Sequence, residues 1–192
     1  NLMAVFFGVK NKKIFQKMLF FIAYSSFYLQ LKGGRKKMAN ENYVQPVKND
    51  FNTTGGQILL YYIDHELFGI EIQYITEIIG MQPITVVPNV PSFIKGVINI
   101  RGQVVPVISI RHKINRPEIP YDDKTCIIVV ELEDLTVGLI VDRVREITTV
   151  LPTDTCTAPD FRNVNENQYI QSIIDSNGEI KQLLDIHKII LE

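Results

Sequence analysis

The side chains that most often perform catalysis or bind metals are sparse in this chain. It has three histidines and two cysteines, and none of them shares a short spacing with a cysteine or carboxylate of the kind that forms a metal site; they are His65, His112, His187, Cys126 and Cys156. Glycine-rich phosphate loops, dinucleotide fingerprints and Gly-x-Ser-x-Gly nucleophile motifs do not occur in the sequence. We therefore expect no catalytic residue, no metal and no cofactor.

Two glutamates, Glu77 and Glu146, are the nearest approach to a catalytic acid–base pair. They occupy equivalent positions of a repeat, because the segment from Gly69 to Ile78 returns 69 residues later as the segment from Gly138 to Ile147. A general acid and a general base need different environments to hold different pKa values. Equivalent positions predict similar environments, so we expect structural or surface roles for both glutamates.

The repeat extends through most of the chain. The segment 93–110 matches 169–186 at an offset of 76, so the second copy carries seven extra residues in its middle loop. This period is too long for a solenoid, whose units run to roughly 20–50 residues. The sequence predicts two similar subdomains related by a pseudo-two-fold axis, with a first repeat at about 57–114 and a second at about 125–192. A duplicated surface with a cleft favours a binding scaffold.

Short apolar runs separated by turns predict an all-β fold of small barrels or a sandwich. Pro106 within one run favours an edge strand or a bulge, and the segment 73–79 leaves helix and strand both open. A short helix is predicted after Asp185, which is a suitable N-cap. The predicted strands are 58–63, 67–72, 97–100, 104–110, 125–132, 136–141, 169–175 and 179–184.

Arg101 is the most conspicuous candidate for partner binding. It lies between Asn99 and Gly102 at a predicted turn, in a run that is otherwise uncharged. Its guanidinium could be a solvated turn group, or a planar donor fork that binds a carboxylate on a partner or across the groove. Both interpretations remain open from the residues alone.

Three further positions are candidates of a different kind. Gly96 and Gly138 stand in apolar strand segments, where glycine serves backbone geometry or close approach, and a side chain there would also reshape the binding surface. Phe161 follows Ala158-Pro-Asp in a predicted loop. It either packs locally or contributes an apolar group to an interface.

Charge divides the chain into two parts. Residues 1–37 hold eight of the 20 basic residues and no acidic one, which leaves 12 basic and all 21 acidic residues in 38–192, a net charge of −9. Nucleic-acid binding needs clustered lysine and arginine, so the acidic part argues against it. Residues 38–55 are polar and aperiodic and are predicted to form a flexible tail.

The segment 1–37 allows three interpretations. Its basic start and apolar run 18–31 resemble a signal peptide or a membrane anchor, although the run is short for a spanning helix and lacks a clear cleavage site. Alternatively it is a non-native, upstream-translated extension, since Lys32-Gly33-Gly34 can be encoded by a bacterial ribosome-binding sequence just before Met38. We favour the extension and expect the natural protein to begin at Met38.

Residues 56–192 resemble the CheW-type chemotaxis coupling proteins. The resemblance rests on the run from Pro88 to Ile108, on Gly138-Leu-Ile-Val-Asp142-Arg-Val, on Ala158-Pro-Asp-Phe161 and on the segment 182–190. Two positions depart from the family pattern: Ser109 stands where an aspartate is usual, and Ser172 where a glycine often occurs. They weaken local turn and ion-pair expectations without affecting the resemblance.

The resemblance implies a fold of two SH3-like five-stranded β-barrels with a short C-terminal helix. It also implies a non-catalytic cytoplasmic adaptor, associated with chemoreceptor arrays, that joins the regulatory domain of the histidine kinase CheA to the cytoplasmic tips of methyl-accepting chemoreceptors. No nucleic acid or direct membrane contact is expected; a small-ligand or nucleic-acid-binding barrel module is the alternative. The partner-binding candidates are Glu77, Gly96, Asn99, Arg101, Gly102, Gly138 and Phe161.

Overall fold

The computed structural model describes residues 55–157, 168–176 and 178–191. Within these ranges the protein is built from β-strands and two short helices, which confirms the predicted all-β class. The strands are β1 Gly56–Ile63, β2 Glu66–Glu71, β3 Ile75–Gly80, β4 Ile94–Ile100, β5 Gln103–Ser109, β6 Cys126–Leu132, β7 Leu135–Val141, β8 Arg143–Val150, β9 Thr155–Thr157, β10 Ile170–Ser176 and β11 Glu179–Leu184; the helices are α1 Ile110–Lys113 and α2 Ile186–Leu191.

The strands form two sheets, and each sheet takes strands from both repeats. One has the order β8-β1-β2-β11-β10-β9 and the other β3-β6-β7-β5-β4. The opening hairpin of each repeat, β1–β2 or β6–β7, therefore pairs with the later strands of the other repeat. The sequence repeats and the sheets do not coincide, although the sequence alone suggests that they would.

Each sheet closes on itself. In the first sheet, β8 pairs with β1 at one edge and β9 pairs with β10 at the other. A single 3-10 turn, Pro152–Asp154, joins the two edge strands β8 and β9. In the second sheet, the chain leaving β3 reaches β4 through a bridge between Thr85 and Val97. We call these closed units barrel A, which contains β1, and barrel B, which contains β4. They are the predicted SH3-like barrels; barrel B has the five strands expected, and barrel A has six, counting the short strand β9.

Both faces of several strands are buried. Inward-facing residues such as Ile58 in barrel A and Ile127 in barrel B belong to separate core clusters. Their sequence neighbours Leu59 and Ile128 face outward in the pleat, yet they are also buried. Because β1 contacts β7, the outer faces of the two opening hairpins pack against each other and hold the barrels together.

Two predictions are settled by the local structure. The ambiguous segment 73–79 forms a single 3-10 turn, Ile72–Tyr74, followed by β3. The C-terminal helix is confirmed, and Asp185 caps it by accepting hydrogen bonds from the backbone N–H groups of His187 at 3.0 Å and Lys188 at 3.2 Å.

The edge-strand expectation for Pro106 is wrong, although β4 has a bulge between Ile94 and Gly96, opposite the residues that follow the proline. Its strand, β5, lies between β7 and β4 rather than at an edge. The parallel ladder with β7 begins at Val107, one residue beyond the proline. The missing N–H of Pro106 therefore does not interrupt that ladder.

Candidate partner-binding site

Glu77 and Arg101 form an exposed ion pair on barrel B. The Arg101 guanidinium donates from Nη2 to Oε2 of Glu77 at 3.0 Å. Glu77 lies on β3 and Arg101 on the turn after β4, so the pair links the two strands that end the β3-β6-β7-β5-β4 order. The arginine side chain is 84% exposed, which leaves most of its donors open to a partner.

The turn beneath Arg101 is held in one conformation. Arg101 and Gly102 both have positive φ, +50° and +85°, as in the two-residue hairpin turn of type I′. The side-chain oxygen Oδ1 of Asn99 accepts a hydrogen bond from the Gly102 N–H at 2.8 Å. The structure thus brings Glu77, Asn99, Arg101 and Gly102 together, and an arginine on a rigid turn loses less entropy on binding than one on a mobile loop.

Barrel A carries a related pair with the charges exchanged. Arg145 on β8 donates from Nη1 to Oε1 of Glu179 on β11 at 2.5 Å, and its Nε lies 3.0 Å from the Glu146 carboxylate. The hydrogen bond from Arg145 holds the pKa of the Glu179 carboxyl below its ordinary value. At the neighbouring turn, Asp175 accepts from the Gly178 N–H at 3.0 Å, as Asn99 does from Gly102.

Arg145 and Glu179 are not among the candidates predicted from the sequence. The available signal was the repeat itself, because Arg145 directly precedes Glu146, the counterpart of Glu77, and Glu179 directly follows Gly178, the counterpart of Gly102. Extending the repeat to the neighbours of each candidate would have found both residues.

Two of the three candidate glycines, Gly96 and Gly138, are positions where a side chain has no room. Gly96 has φ +140°, and a Cβ there would lie 2.2 Å from the Thr85 carbonyl oxygen. At Gly138 a Cβ would lie 2.7 Å from Cγ1 of Val107 and 2.8 Å from Cγ2 of Ile127. Both glycines are buried, so they shape barrel B from within.

Phe161 lies outside the described residues, and its role remains a prediction. The two departures from the family pattern do fall within them. Ser109 caps α1, since its Oγ accepts from the His112 N–H at 3.3 Å, as an aspartate would. Ser172 occupies a bulge of β10 that corresponds to the bulge of β4 at Gly96.

A second charged group lies where the connector between the repeats crosses barrel B. Nζ of Lys95 lies 2.7 Å from Nδ1 of His112 and forms an ion pair with Glu118, whose Oε1 is 3.1 Å from the same ring nitrogen. Burial lowers the pKa of His112, and the positive charge of Lys95 lowers it further. Both effects favour the neutral form of the imidazole in the folded protein.

This pKa shift predicts a pH-dependent stability. A histidine whose pKa is lower in the folded state than its ordinary value of about 6.5 takes up its proton more readily in the unfolded chain. We expect the free energy of unfolding to fall as the pH drops below that value, and His112→Gln to reduce the fall. Urea unfolding at pH 5 and 7.5 would measure it, with the exposed His65→Gln as the control. If the free energy of unfolding differs between the two pH values by as much in His112→Gln as in the unaltered protein, His112 is not the cause of the pH dependence.

Neither helix among the described residues is long and apolar enough to cross a membrane. In the same ranges, no three His, Cys, Asp or Glu side chains are grouped closely enough to hold a metal ion.

Comparison with known proteins identifies the family. The profile of the CheW-like domain matches residues 57–192. The chemotaxis protein CheW of Klebsiella aerogenes is 32% identical over 138 residues, which cover 72% of this chain and 83% of that protein. CheW of Bacillus subtilis is 30% identical over 137 residues, with coverage of 71% and 88%. The solved structure of the scaffolding protein TtCheW from Thermoanaerobacter tengcongensis superposes with a TM-score of 0.66 at 25% identity, covering 71% of this chain and 92% of that one. The chain belongs to the CheW-like domain family.

Proposed function

We propose that this protein is a non-catalytic adaptor of chemotaxis signalling that couples the histidine kinase CheA to the cytoplasmic tips of chemoreceptors. The family match over residues 57–192 carries the proposal, and relatives of similar sequence are named chemotaxis proteins. Such an adaptor would work in the cytoplasm beside receptor arrays.

The two barrels suit this task because an adaptor needs two surfaces that can be occupied at once. Barrel B presents the Glu77–Arg101 pair, and barrel A presents the Arg145–Glu179 pair. The kinase domain and the receptor tip would then bind different surfaces. Exposed ion pairs contribute little to folding, so these groups can be altered with small effects on stability.

A small-ligand or nucleic-acid-binding role has weaker support. The net charge of −9 over residues 38–192 opposes the phosphate backbone of nucleic acid. Failure of the protein to retain DNA or RNA even at low salt would exclude the nucleic-acid branch.

We expect Arg101→Ala to weaken binding of the receptor tip or of the kinase regulatory domain by about tenfold, as for the loss of a charged hydrogen bond. Arg101→Lys should recover only part of the affinity, since an ammonium cannot reproduce the planar fork. Calorimetry with each partner separately would measure both affinities, and melting curves would check the fold.

The matched control is Arg145→Ala, which removes the corresponding pair from barrel A. If the surfaces serve different partners, the two variants should weaken different complexes. Glu77→Gln, alone and combined with Arg101→Ala, would show whether Arg101 acts through Glu77 or binds the partner directly. If Arg101→Ala leaves both affinities unchanged, Arg101 is a solvated turn residue and its proposed role is wrong.

A further inference from the structure

Arg111 is a buried arginine with a nearly complete set of partners. Its side chain is only 7% exposed. It holds Asp142 with two parallel hydrogen bonds, from Nε to Oδ1 at 2.7 Å and from Nη2 to Oδ2 at 2.6 Å. Nη2 also donates to Oδ1 of Asp64 at 2.5 Å, and Nη1 donates to the carbonyl oxygen of Pro117 at 3.0 Å. We call these four residues the Arg111 cluster.

The members of the cluster come from four segments: one in barrel A, one in barrel B, one between the two barrels and one in the connector between the repeats. Asp64 is in the β1–β2 turn of barrel A, and Arg111 is on α1, directly after β5 of barrel B. Asp142 is the single residue between β7 of barrel B and β8 of barrel A, and Pro117 is in the connector between the repeats. The cluster therefore stands where the chain passes from one barrel to the other.

Backbone hydrogen bonds reinforce this junction. The Asp64 N–H donates to Oδ2 of Asp142 at 2.7 Å, and the Asp142 N–H donates to the Tyr62 carbonyl oxygen at 3.3 Å. Asp142 thus bonds to groups of barrel A through both its backbone and its side chain, while Arg111 holds the same carboxylate from barrel B. Bidentate arginine–carboxylate pairs fix orientation as well as distance.

The equivalent junction in the other half of the repeat has different chemistry. The repeat places Gln73 where Asp142 stands and His187 where Arg111 stands. There, Nε2 of His187 lies 3.4 Å from the Tyr74 hydroxyl, the two rings meet edge to face, and Gln73 bonds to Glu71. The bidentate ionic junction is thus present on one side of the pseudo-two-fold axis, and on the other side the contact between Tyr74 and His187 takes its place.

A purely stabilising role would explain the cluster poorly. Burying charges costs desolvation energy that their attraction often only balances, so buried ion pairs are weak sources of stability. None of the four residues belongs to the apolar core cluster of either barrel. The cluster instead constrains the orientation of one barrel relative to the other.

We propose that Arg111 is a positioning residue that fixes the angle between barrel A and barrel B. That angle sets the separation of the Glu77–Arg101 and Arg145–Glu179 pairs, and its consequence for partner binding rests on the proposed adaptor function. Arg111 would thereby hold the two partner surfaces at the spacing that simultaneous binding requires, without contacting either partner.

The test measures the distance between the barrels in the absence of any partner. Spin labels would be placed at Thr149→Cys on β8 and Glu131→Cys on β6, both exposed, after Cys126 and Cys156 are changed to serine. Double electron–electron resonance would then report the distance distribution. We expect Arg111→Met and Asp64→Asn to broaden the distance distribution and shift its mean. The circular dichroism spectrum of the whole protein should stay unchanged.

Asp64→Asn keeps the proposal testable if Arg111→Met does not fold, because asparagine tolerates the positive φ of +56° at this turn. The control is Arg116→Ala, which breaks the ion pair between Arg116 of the same connector and Glu66 of the same hairpin. It should leave the distribution unchanged. Distances in folded Asp64→Asn identical to those of the unaltered protein would overturn the proposal.

Binding separates this proposal from the proposed function. If both hold, Asp64→Asn should lower the affinity of the ternary complex by about fivefold while each partner alone binds nearly as before. If the unaltered protein binds neither partner, the adaptor function is refuted. The distance measurement would still decide the role of Arg111. Equal weakening of each single partner would show local damage and overturn the positioning role.

Discussion

Gly96→Ala is expected to lower the free energy of unfolding by about 3 kcal/mol, since it combines a disfavoured positive φ with a steric clash. The new Cβ would lie 2.2 Å from the Thr85 carbonyl oxygen, which accepts from the Val97 N–H at 2.9 Å. Backbone cannot move aside as a flexible side chain can. The clash should therefore break the bridge that closes barrel B. Urea unfolding with a two-state fit would measure the change.

Gly80→Ala is the matched control for this substitution. Gly80 ends β3, and a Cβ at this position would have no neighbour within 4 Å. We expect little loss of stability there, and hydrogen exchange should show that the Thr85 and Val97 amides are released only in Gly96→Ala. Similar stabilities for the two variants would mean that the segment around Thr85 shifts freely, contrary to the geometry at Gly96.

Gly138→Ala is expected to destabilise the protein by about 2 kcal/mol, the range for overpacking a closely packed core. The added methyl would lie 2.7 Å from Cγ1 of Val107 and 2.8 Å from Cγ2 of Ile127. Both neighbours are β-branched, fully buried and part of the barrel B core. Neither can rotate away without moving its strand.

The repeat supplies the control at Gly69, the counterpart of Gly138 in barrel A. There the nearest atom to an added Cβ is Cδ1 of Ile58 at 3.0 Å, the far end of a flexible side chain. Gly69→Ala should therefore cost clearly less than Gly138→Ala. If thermal unfolding gives the same loss for both, steric clearance does not decide the effect, and the explanation for Gly138 fails.

Much of the fold follows from local patterns that the sequence contains in full. Apolar runs bounded by turn residues predict the strands, because alternation and turn chemistry act over a few residues. The same holds for the cap at Asp185 and for the turn at Asn99, Arg101 and Gly102. The repeat also identified Glu77 as a counterpart of Glu146, and the resemblance identified the family.

Other features depend on which strands meet. The sequence did not reveal that the opening hairpins pair with the later strands of the other repeat, since pairing between distant strands has no local signature. Pro106 shows the consequence, because its tolerance inside the sheet depends on where the ladder with β7 begins. Gly96 shows it too: its repeat counterpart Ser172 sits at a matching bulge but does not need positive φ.

The sequence by itself determined the all-β class, the duplication, the terminal helix and the candidate turn, because these are recorded in neighbouring residues or in one chain compared with itself. The resemblance to the CheW-type proteins likewise needs only short motifs of the sequence. Only the tertiary structure decided that Arg101 pairs with Glu77, that Arg145 pairs with Glu179, and that Arg111 joins the barrels. Those contacts join residues between 24 and 47 positions apart in the chain. The physical reason is that an ion pair depends on side chains meeting in space, and their meeting is fixed by strand order and barrel closure rather than by spacing along the chain.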